Sequence, residues 1–341
     1  MKSIVCFVIL IAVLGCTGND SKESENPIAI DYAFSVKPIE GDDFIADYRV
    51  ANEEVLRAIP QAYIDLARNN LRVAYQHTSH GTHVSYGLYG LQDYKDGDEK
   101  LFGITRYGKQ PDKLDVNDYV IQKYAEEGTD ASDLSREETA FIQATRNYLD
   151  DPLNAEINVV MWAWCSIRHH DLEGVYLPGM QTLIDEYGSG GSKIGNGDGQ
   201  RRVPVCFVFM TGHARKNLNL GDGYPEQQAA IVNAYCQKNK LLCLDYYSID
   251  THCMNDIYWD DASDDGYSEK YANANGGSGN YYHDWQNSHV LGTHYYENKI
   301  EPKGEVVFGN HTTQHVISNR KAYAMWWILA RISGWDGKSI E

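Results

Sequence analysis

Four short apolar runs, Leu71 to Gln76, Ile157 to Ala163, Val203 to Met210 and Leu241 to Tyr246, constrain this chain more than any other feature. Each is rich in Val, Ile, Leu or aromatic residues over most of its length, the pattern of strands buried on both faces. Helical patterns separate them. Ser135-Arg136-Glu137-Glu138 has capping-box spacing and opens a stretch with Phe141, Thr145 and Tyr148 on one side, ending at Pro152. Pro225 to Asn239 carries Ala229, Ile231, Val232 and Tyr235 at helical intervals. Asn319 to Ser333 runs through Met325, Trp326, Trp327, Ile328 and Leu329 and stops at Gly334. Strands alternating with helices predict βαβ units, hence an α/β fold with a mostly parallel sheet flanked by helices. Three segments break the rhythm: the charged, Tyr-bearing 93–133, the Gly-rich Gly188 to Gln200, and 250–304, which mixes Asp, Gly, Tyr, Trp and His. Long stretches of this kind inside a compact domain are usually functional or mobile. They read as insertions, chiefly 93–133 and 250–304, on a single α/β domain spanning 31–341.

The start of the chain carries a different signal. Lys2 precedes an apolar run from Ile4 to Leu14, followed by Gly15 and Cys16, too short to cross the roughly 30 Å hydrocarbon core as a folded anchor. Val13-Leu14-Gly15-Cys16 resembles a bacterial lipobox. That resemblance implies that residues 1–15 are a lipoprotein signal peptide and that Cys16 is acylated, for example with palmitate. Residues 16–30, polar and acidic, then form a tether. The expected location is the bacterial cell envelope, at the outer membrane or cell surface, with the membrane engaged through the lipid on Cys16. No later run reaches the roughly 18 apolar residues of a second span. Of the 7 Cys, two belong to the signal. Cys165, Cys206, Cys236, Cys243 and Cys253 match no paired C-x-x-C module and allow at most two disulfides with one thiol over. Cys206 and Cys243 lie in apolar runs and read as small buried hydrophobes.

Lys and Arg number 30 against 48 Asp and Glu, a formal net charge of -18. A phosphate backbone would be repelled over most of the surface, so nucleic acid is not an expected partner. The 25 Tyr and 7 Trp supply flat rings with a polar tip, which suit sugar rings. They are dense in 250–304, where Tyr258, Trp259, Tyr281, Tyr282, Trp285 and Tyr295 are interleaved with Asp and Asn. Trp259 and Trp285 are accordingly candidate substrate-binding residues, and a polysaccharide is the expected partner.

Ligands in an open α/β sheet bind beyond the carboxyl ends of the strands, so the residues that follow each run matter most. His77-Thr78-Ser79-His80-Gly81-Thr82-His83 follows the first run, and Trp164-Cys165-Ser166 the second. Thr211-Gly212-His213-Ala214-Arg215 follows the third, and Asp245, Ser248 and Asp250 lie behind the fourth. His311-Thr312-Thr313-Gln314-His315 stands ahead of the last helix. Hydroxyls, imidazoles and carboxylates thus converge on one sheet edge.

This ordered set resembles the SGNH, or GDSL-like, hydrolases over residues 71 to 335. The resemblance implies a flavodoxin-like sheet and a serine esterase without cofactor or metal. Ser79, in the turn after the first strand, takes the place of the nucleophile, and His315 that of the base, with Asn319 opening the last helix. The Ser79 and Ser166 backbone N–H groups and the His213 side chain would form the oxyanion hole. Gly212-His213 stands where the family has Gly-x-Asn, Cys165 or Ser166 replaces the oxyanion Gly, and Thr312 replaces the Asp before the base. Asp250 or a backbone carbonyl would then orient the base. His80 and Arg215 join Trp259 and Trp285 as substrate-binding candidates, and His169-His170 reads as surface. The implied reaction is removal of acyl groups from an extracellular polysaccharide.

Two other readings use the same residues. His77, His80 and His83, with His213, His311 or Asp250, have the numbers for a metal-dependent hydrolase, although no H-E-x-x-H motif occurs. A non-catalytic surface glycan-binding lipoprotein would need only the aromatic loops. A nucleophile and base together argue against that last case, since binding alone requires neither.

Overall fold

In the computed structural model, which describes residues 39–338, seven strands pair in the order β1-β7-β6-β5-β2-β4-β3. Every pairing is parallel. The strands are β1 (Ile45–Ala46), β2 (Arg72–Gln76), β3 (Ile104–Thr105), β4 (Leu114–Asp118), β5 (Val159–Trp162), β6 (Cys206–Met210) and β7 (Cys243–Leu244). The four apolar runs became β2, β5, β6 and β7. Their lack of alternation has a direct cause, because successive residues enter opposite cores. Val73, Tyr75, Val159, Met161, Val208 and Met210 face the core that contains the last helix. Ala74, Val160, Trp162, Phe207 and Phe209 face the other, beneath the helices Ala140–Asp150 and Leu177–Tyr187.

Residues 93–133, read from sequence as an insertion, instead supply β3 and β4, and β4 lies directly beside the interior strand β2. Its sequence, Leu-Asp-Val-Asn-Asp, lacks an apolar run because the polar side chains have buried partners. Asn117 donates to the Val73 carbonyl at 3.2 Å, Asp115 accepts from the Gly108 N–H at 3.1 Å, and Asp118 accepts from Arg106 at 2.6 Å. Segment 250–304 also has structure, with short helices Glu269–Asn275 and Tyr281–Ser288. Its Tyr281 and Tyr282 pack with Cys253 and Ala262 against Val316 and Ile317, at the start of the last helix.

The predicted Pro225–Asn239 helix is present over those residues. Ser135 does not cap a helix: its hydroxyl and N–H both engage Asp133, and the helix starts at Ala140. The last helix runs Val316–Ile332, entirely buried, so Asn319 lies within it rather than opening it. Gly87, on the helix Thr82–Leu91, allows that helix to approach closely; a Cβ there would sit 2.2 Å from the Ser318 carbonyl oxygen. Such contact sets the two helices that frame the sheet edge where the histidines gather. Cys165, Cys206, Cys236, Cys243 and Cys253 are all free thiols. Among the described residues no helix is long and apolar enough to cross a membrane; Cys16 and the signal lie outside them.

Candidate active site

The chain leaves β2 through a tight, clamped turn. Ser79 has φ +38, in the left-handed region that a residue with a Cβ rarely adopts. Several bonds hold it there. The Gly81 N–H donates to the Thr78 carbonyl at 2.8 Å and the Thr82 hydroxyl to the Ser79 carbonyl at 2.7 Å. Thr78 donates its hydroxyl to Asp133. Tyr75 and Tyr246 donate to the Gly81 and His80 carbonyls at 3.1 and 2.9 Å. Strain held in place by surrounding bonds is common at reactive turns.

The Ser79 hydroxyl meets the Nε2 of His311. His311 also has a left-handed backbone, φ +68, and the start of the helix Thr82–Leu91 fixes its loop. The Asn310 N–H donates to the Thr82 hydroxyl oxygen at 2.9 Å, and the Asn310 carbonyl accepts from His83 Nε2 at 2.6 Å. Thr82 therefore bonds both to the Ser79 carbonyl and to the neighbour of His311. Gly309 permits the approach, since a Cβ there would lie 2.1 Å from the His83 ring.

The imidazole brought to Ser79 is His311, whereas His315 is committed elsewhere. His315 Nδ1 accepts the Asn298 N–H at 3.2 Å, and its ring packs 4.4 Å from Phe308. Burial, assisted by Lys299, lowers its pKa to about 4. A neutral ring with Nδ1 as acceptor carries its proton on Nε2, the atom that would have to receive the serine proton. In that tautomer Nε2 offers no lone pair to a serine proton, whereas the role of base which the family resemblance implies for His315 requires one.

His213 also departs from its expected role. Its Nδ1 lies 2.6 Å from the Ala214 carbonyl and must donate to it. Burial and the neighbouring His80 push its pKa down to about 3, so the ring is neutral and has no second N–H to offer an oxyanion. It stacks on His80 at 3.8 Å and 7°, and His80 stacks in turn on His311 at 4.5 Å and 16°. His80 donates from Nε2 to Asp264 at 2.7 Å. Burial lowers the His80 pKa despite that carboxylate. Asp264 itself, opposed by burial, is held below the usual carboxylate range by its hydrogen bond with His80. The His80 Nδ1 is left as an acceptor facing the Cys165 thiol at 3.8 Å, a thiol kept neutral by burial and the Asp133 charge.

Beneath the stack lies a fully buried ion pair, Lys321 Nζ to Asp250 at 2.6 Å. Asp250 also accepts the Ala214 N–H at 3.0 Å. Burial raises the Asp250 pKa to about 7 even beside Lys321. Asp250 thus braces the loop of His213 and makes no bond to His311 or His315. Ser166 and Arg215 do come together, with the guanidinium donating to the Ser166 hydroxyl at 2.9 Å. Trp259 and Trp285, in the 250–304 segment, make no contact with the stack of His213, His80 and His311. Trp259 donates its indole N–H to Cys253 at 3.3 Å, and Trp285 stacks on His289 at 3.9 Å. His169 is exposed and His170 half-buried.

Donor atoms of His80, His213 and Asp264 all lie within 4.8 Å of one another, close enough to share a cation. Asp264 was not among the residues singled out from sequence; its only signal was its place in the acidic run Asp260 to Asp265. His77 and His83, two further metal candidates, point away from this trio: His77 faces Asp118 at 3.5 Å and His83 bonds Asn310. The parallel stacking of His80 on His213 keeps their lone pairs side by side, whereas ligands of one ion must converge on it. Comparison with known proteins returned no matching family model, no matching curated protein and no matching solved structure.

Proposed function

We propose that this chain is a lipid-anchored, SGNH-like serine esterase that removes acyl groups from an extracellular polysaccharide, with His311 in place of His315 as the base. One observation carries the reading: the Ser79 hydroxyl, in a left-handed turn just after the interior strand β2, bonds to His311 Nε2. The strand order supports it. With β3 and β1 set aside as edges, β4-β2-β5-β6-β7 follows the flavodoxin-like order 2-1-3-4-5, whose ligand crevice lies at the carboxyl ends of the strands.

In this mechanism His311 Nε2 takes the Ser79 proton as Oγ attacks the ester carbonyl. The oxyanion is met by the Ser79 and Ser166 backbone N–H groups, with the Arg215 charge beside Ser166. His311 then gives its proton to the departing sugar hydroxyl. Water, deprotonated by the same ring, releases the acyl group and restores Ser79. The test is acetate release from an acetylated polysaccharide and hydrolysis of p-nitrophenyl acetate. The expected result is turnover by the wild type and loss to background in Ser79→Ala, and full activity in that variant contradicts the reading. The lipid anchor is tested separately, since Cys16→Ala should release the protein from membranes.

A second reading rests on the proximity of His80, His213 and Asp264: a metal-dependent hydrolase. It requires one tightly held metal per chain, lost in both His80→Ala and His213→Ala. The serine reading requires activity that survives exhaustive chelation.

A further inference from the structure

The aromatic segment forms an open cavity of about 450 Å³ along the helices Glu269–Asn275 and Tyr281–Ser288. None of the histidine cluster lines it. Its walls include Trp285, Tyr271, Asp284, Asn255, Asn275 and Ser288, and no Lys, Arg or His. We propose that this cavity is a binding site for a neutral saccharide unit, separate from the Ser79–His311 centre.

Three features of the walls select that class. The first is charge. Asp284 is resisted by burial but held below the usual carboxylate range by the Ser278 hydroxyl and N–H, so it is ionised. No Lys or Arg lines the cavity, and the His283 ring, 3.7 Å from Asp284, lies outside its walls, so the cavity repels phosphates, sulfates and uronates. The second is hydrogen-bonding variety. The Asn275 amide donates to the Tyr271 carbonyl at 3.2 Å and keeps its oxygen as an acceptor. Asn255 accepts from the Cys253 thiol at 2.8 Å and keeps its NH₂ as a donor. Ser288 donates to the Trp285 carbonyl at 2.8 Å, and its oxygen, 3.0 Å from His289 Nδ1, retains a lone pair. Interspersed donors and acceptors match vicinal hydroxyls, each of which both gives and accepts a bond. The third is the aromatic arrangement. His289 covers one face of Trp285 at 3.9 Å, which leaves at most one face for a ligand. Tyr271 meets Trp259 and Tyr281 edge-on, at 5.7 Å from each. An aromatic cage around a quaternary ammonium needs several open faces, whereas a sugar ring needs a single apolar platform and a polar rim.

The helix Tyr281–Ser288 is also tied to the catalytic end of the fold. Its Gln286 side chain accepts the N–H groups of His315 and Val316 at 2.7 and 3.1 Å, and Tyr281 donates to the Asp250 carbonyl. A polysaccharide held here is therefore held on an element fastened to the start of the last helix.

This inference rests on the saccharide half of the proposed function and not on its ester chemistry. The experiment is isothermal titration, with Trp fluorescence in parallel, using maltotriose, cellotriose, xylotriose, mannotriose, trigalacturonate and choline on the full chain. At least one neutral trisaccharide should saturate the protein, while trigalacturonate and choline should not. Binding should weaken about tenfold or more in Asn255→Ala and in Trp285→Ala, the loss of one hydrogen bond or one stacking contact. Asn255 is exposed, so its substitution tests the site without disturbing the core. Ser79→Ala should bind as the wild type does. A wild type that binds a neutral sugar but hydrolyses no ester would count against the esterase alone. Intact hydrolysis with no saturable neutral sugar, choline binding instead, or sugar binding indifferent to both pocket variants would overturn the inference.

Discussion

Thr82 ties the two halves of the proposed centre at the level of single atoms. Its hydroxyl donates to the Ser79 carbonyl and accepts from the Asn310 N–H, and the side chain is buried. Thr82→Val keeps the shape and removes both bonds. Because small misplacements of reacting groups cost up to about 10² in rate, turnover should fall by roughly that factor with little change in KM, and Thr82→Ser should restore it. Equal turnover in Thr82→Val and wild type would show that Thr82 does not position the pair. The buried Lys321–Asp250 bond predicts a non-additive pair. Asp250→Ala leaves an uncompensated buried ammonium and should cost about 3–5 kcal/mol in urea unfolding. Asp250→Asn with Lys321→Met should cost less than the sum of the single changes, and strict additivity would argue against direct coupling. Sequence placed Ser79, His80, His213 and His311 on one edge, because residues after buried strands must gather there. It could not choose His311 over His315: both precede the last helix, and the choice depends on which ring nitrogen Asn298 already engages.

At the scale of elements, legibility followed burial. β2, β5, β6 and β7 were visible because each is apolar on both faces, and Pro225–Asn239 because its periodic residues are bounded by Pro and a polar end. β4 was hidden, since Asp115, Asn117 and Asp118 occupy strand positions whose polarity is satisfied only by distant partners. The last helix was visible in its apolar middle, but its start was misplaced because Asn319, a plausible opening residue, instead bonds Tyr296 from inside the helix. Gly87 gives this packing a direct test. A Cβ there collides with the Ser318 backbone, so Gly87→Ala should destabilise by about 1–3 kcal/mol, the usual cost of overpacking. Thermal and urea unfolding would register it, and unchanged midpoints would mean that the two helices separate freely.

Across the whole molecule, buried imidazoles set the response to acid. Burial lowers the pKa of His77, His80, His83, His170, His213, His252 and His315, to about 3 for His213 and about 4 for His315. The unfolded chain protonates these rings near 6.5. Burial pushes Asp245 and Asp250 up, to about 6 and about 7, so those two carboxyls take up protons on folding. Seven rings against two carboxyls leave the unfolded state with more bound protons between about pH 4 and 6.5. Stability should therefore fall as pH drops through that window. The urea midpoint should be lower at pH 5 than at pH 7, and an equal or higher midpoint at pH 5 would show that these rings are not kept neutral by the fold.

The central claim is that Ser79 is a nucleophile served by His311. A fluorophosphonate probe reacts with an activated serine hydroxyl and leaves a mass that peptide mapping can place. The wild type should carry one adduct, on Ser79. His311→Ala should lose labelling almost completely, and a folded His315→Ala should retain it. An adduct on another residue, or labelling that survives in His311→Ala and disappears in a folded His315→Ala, would contradict the account.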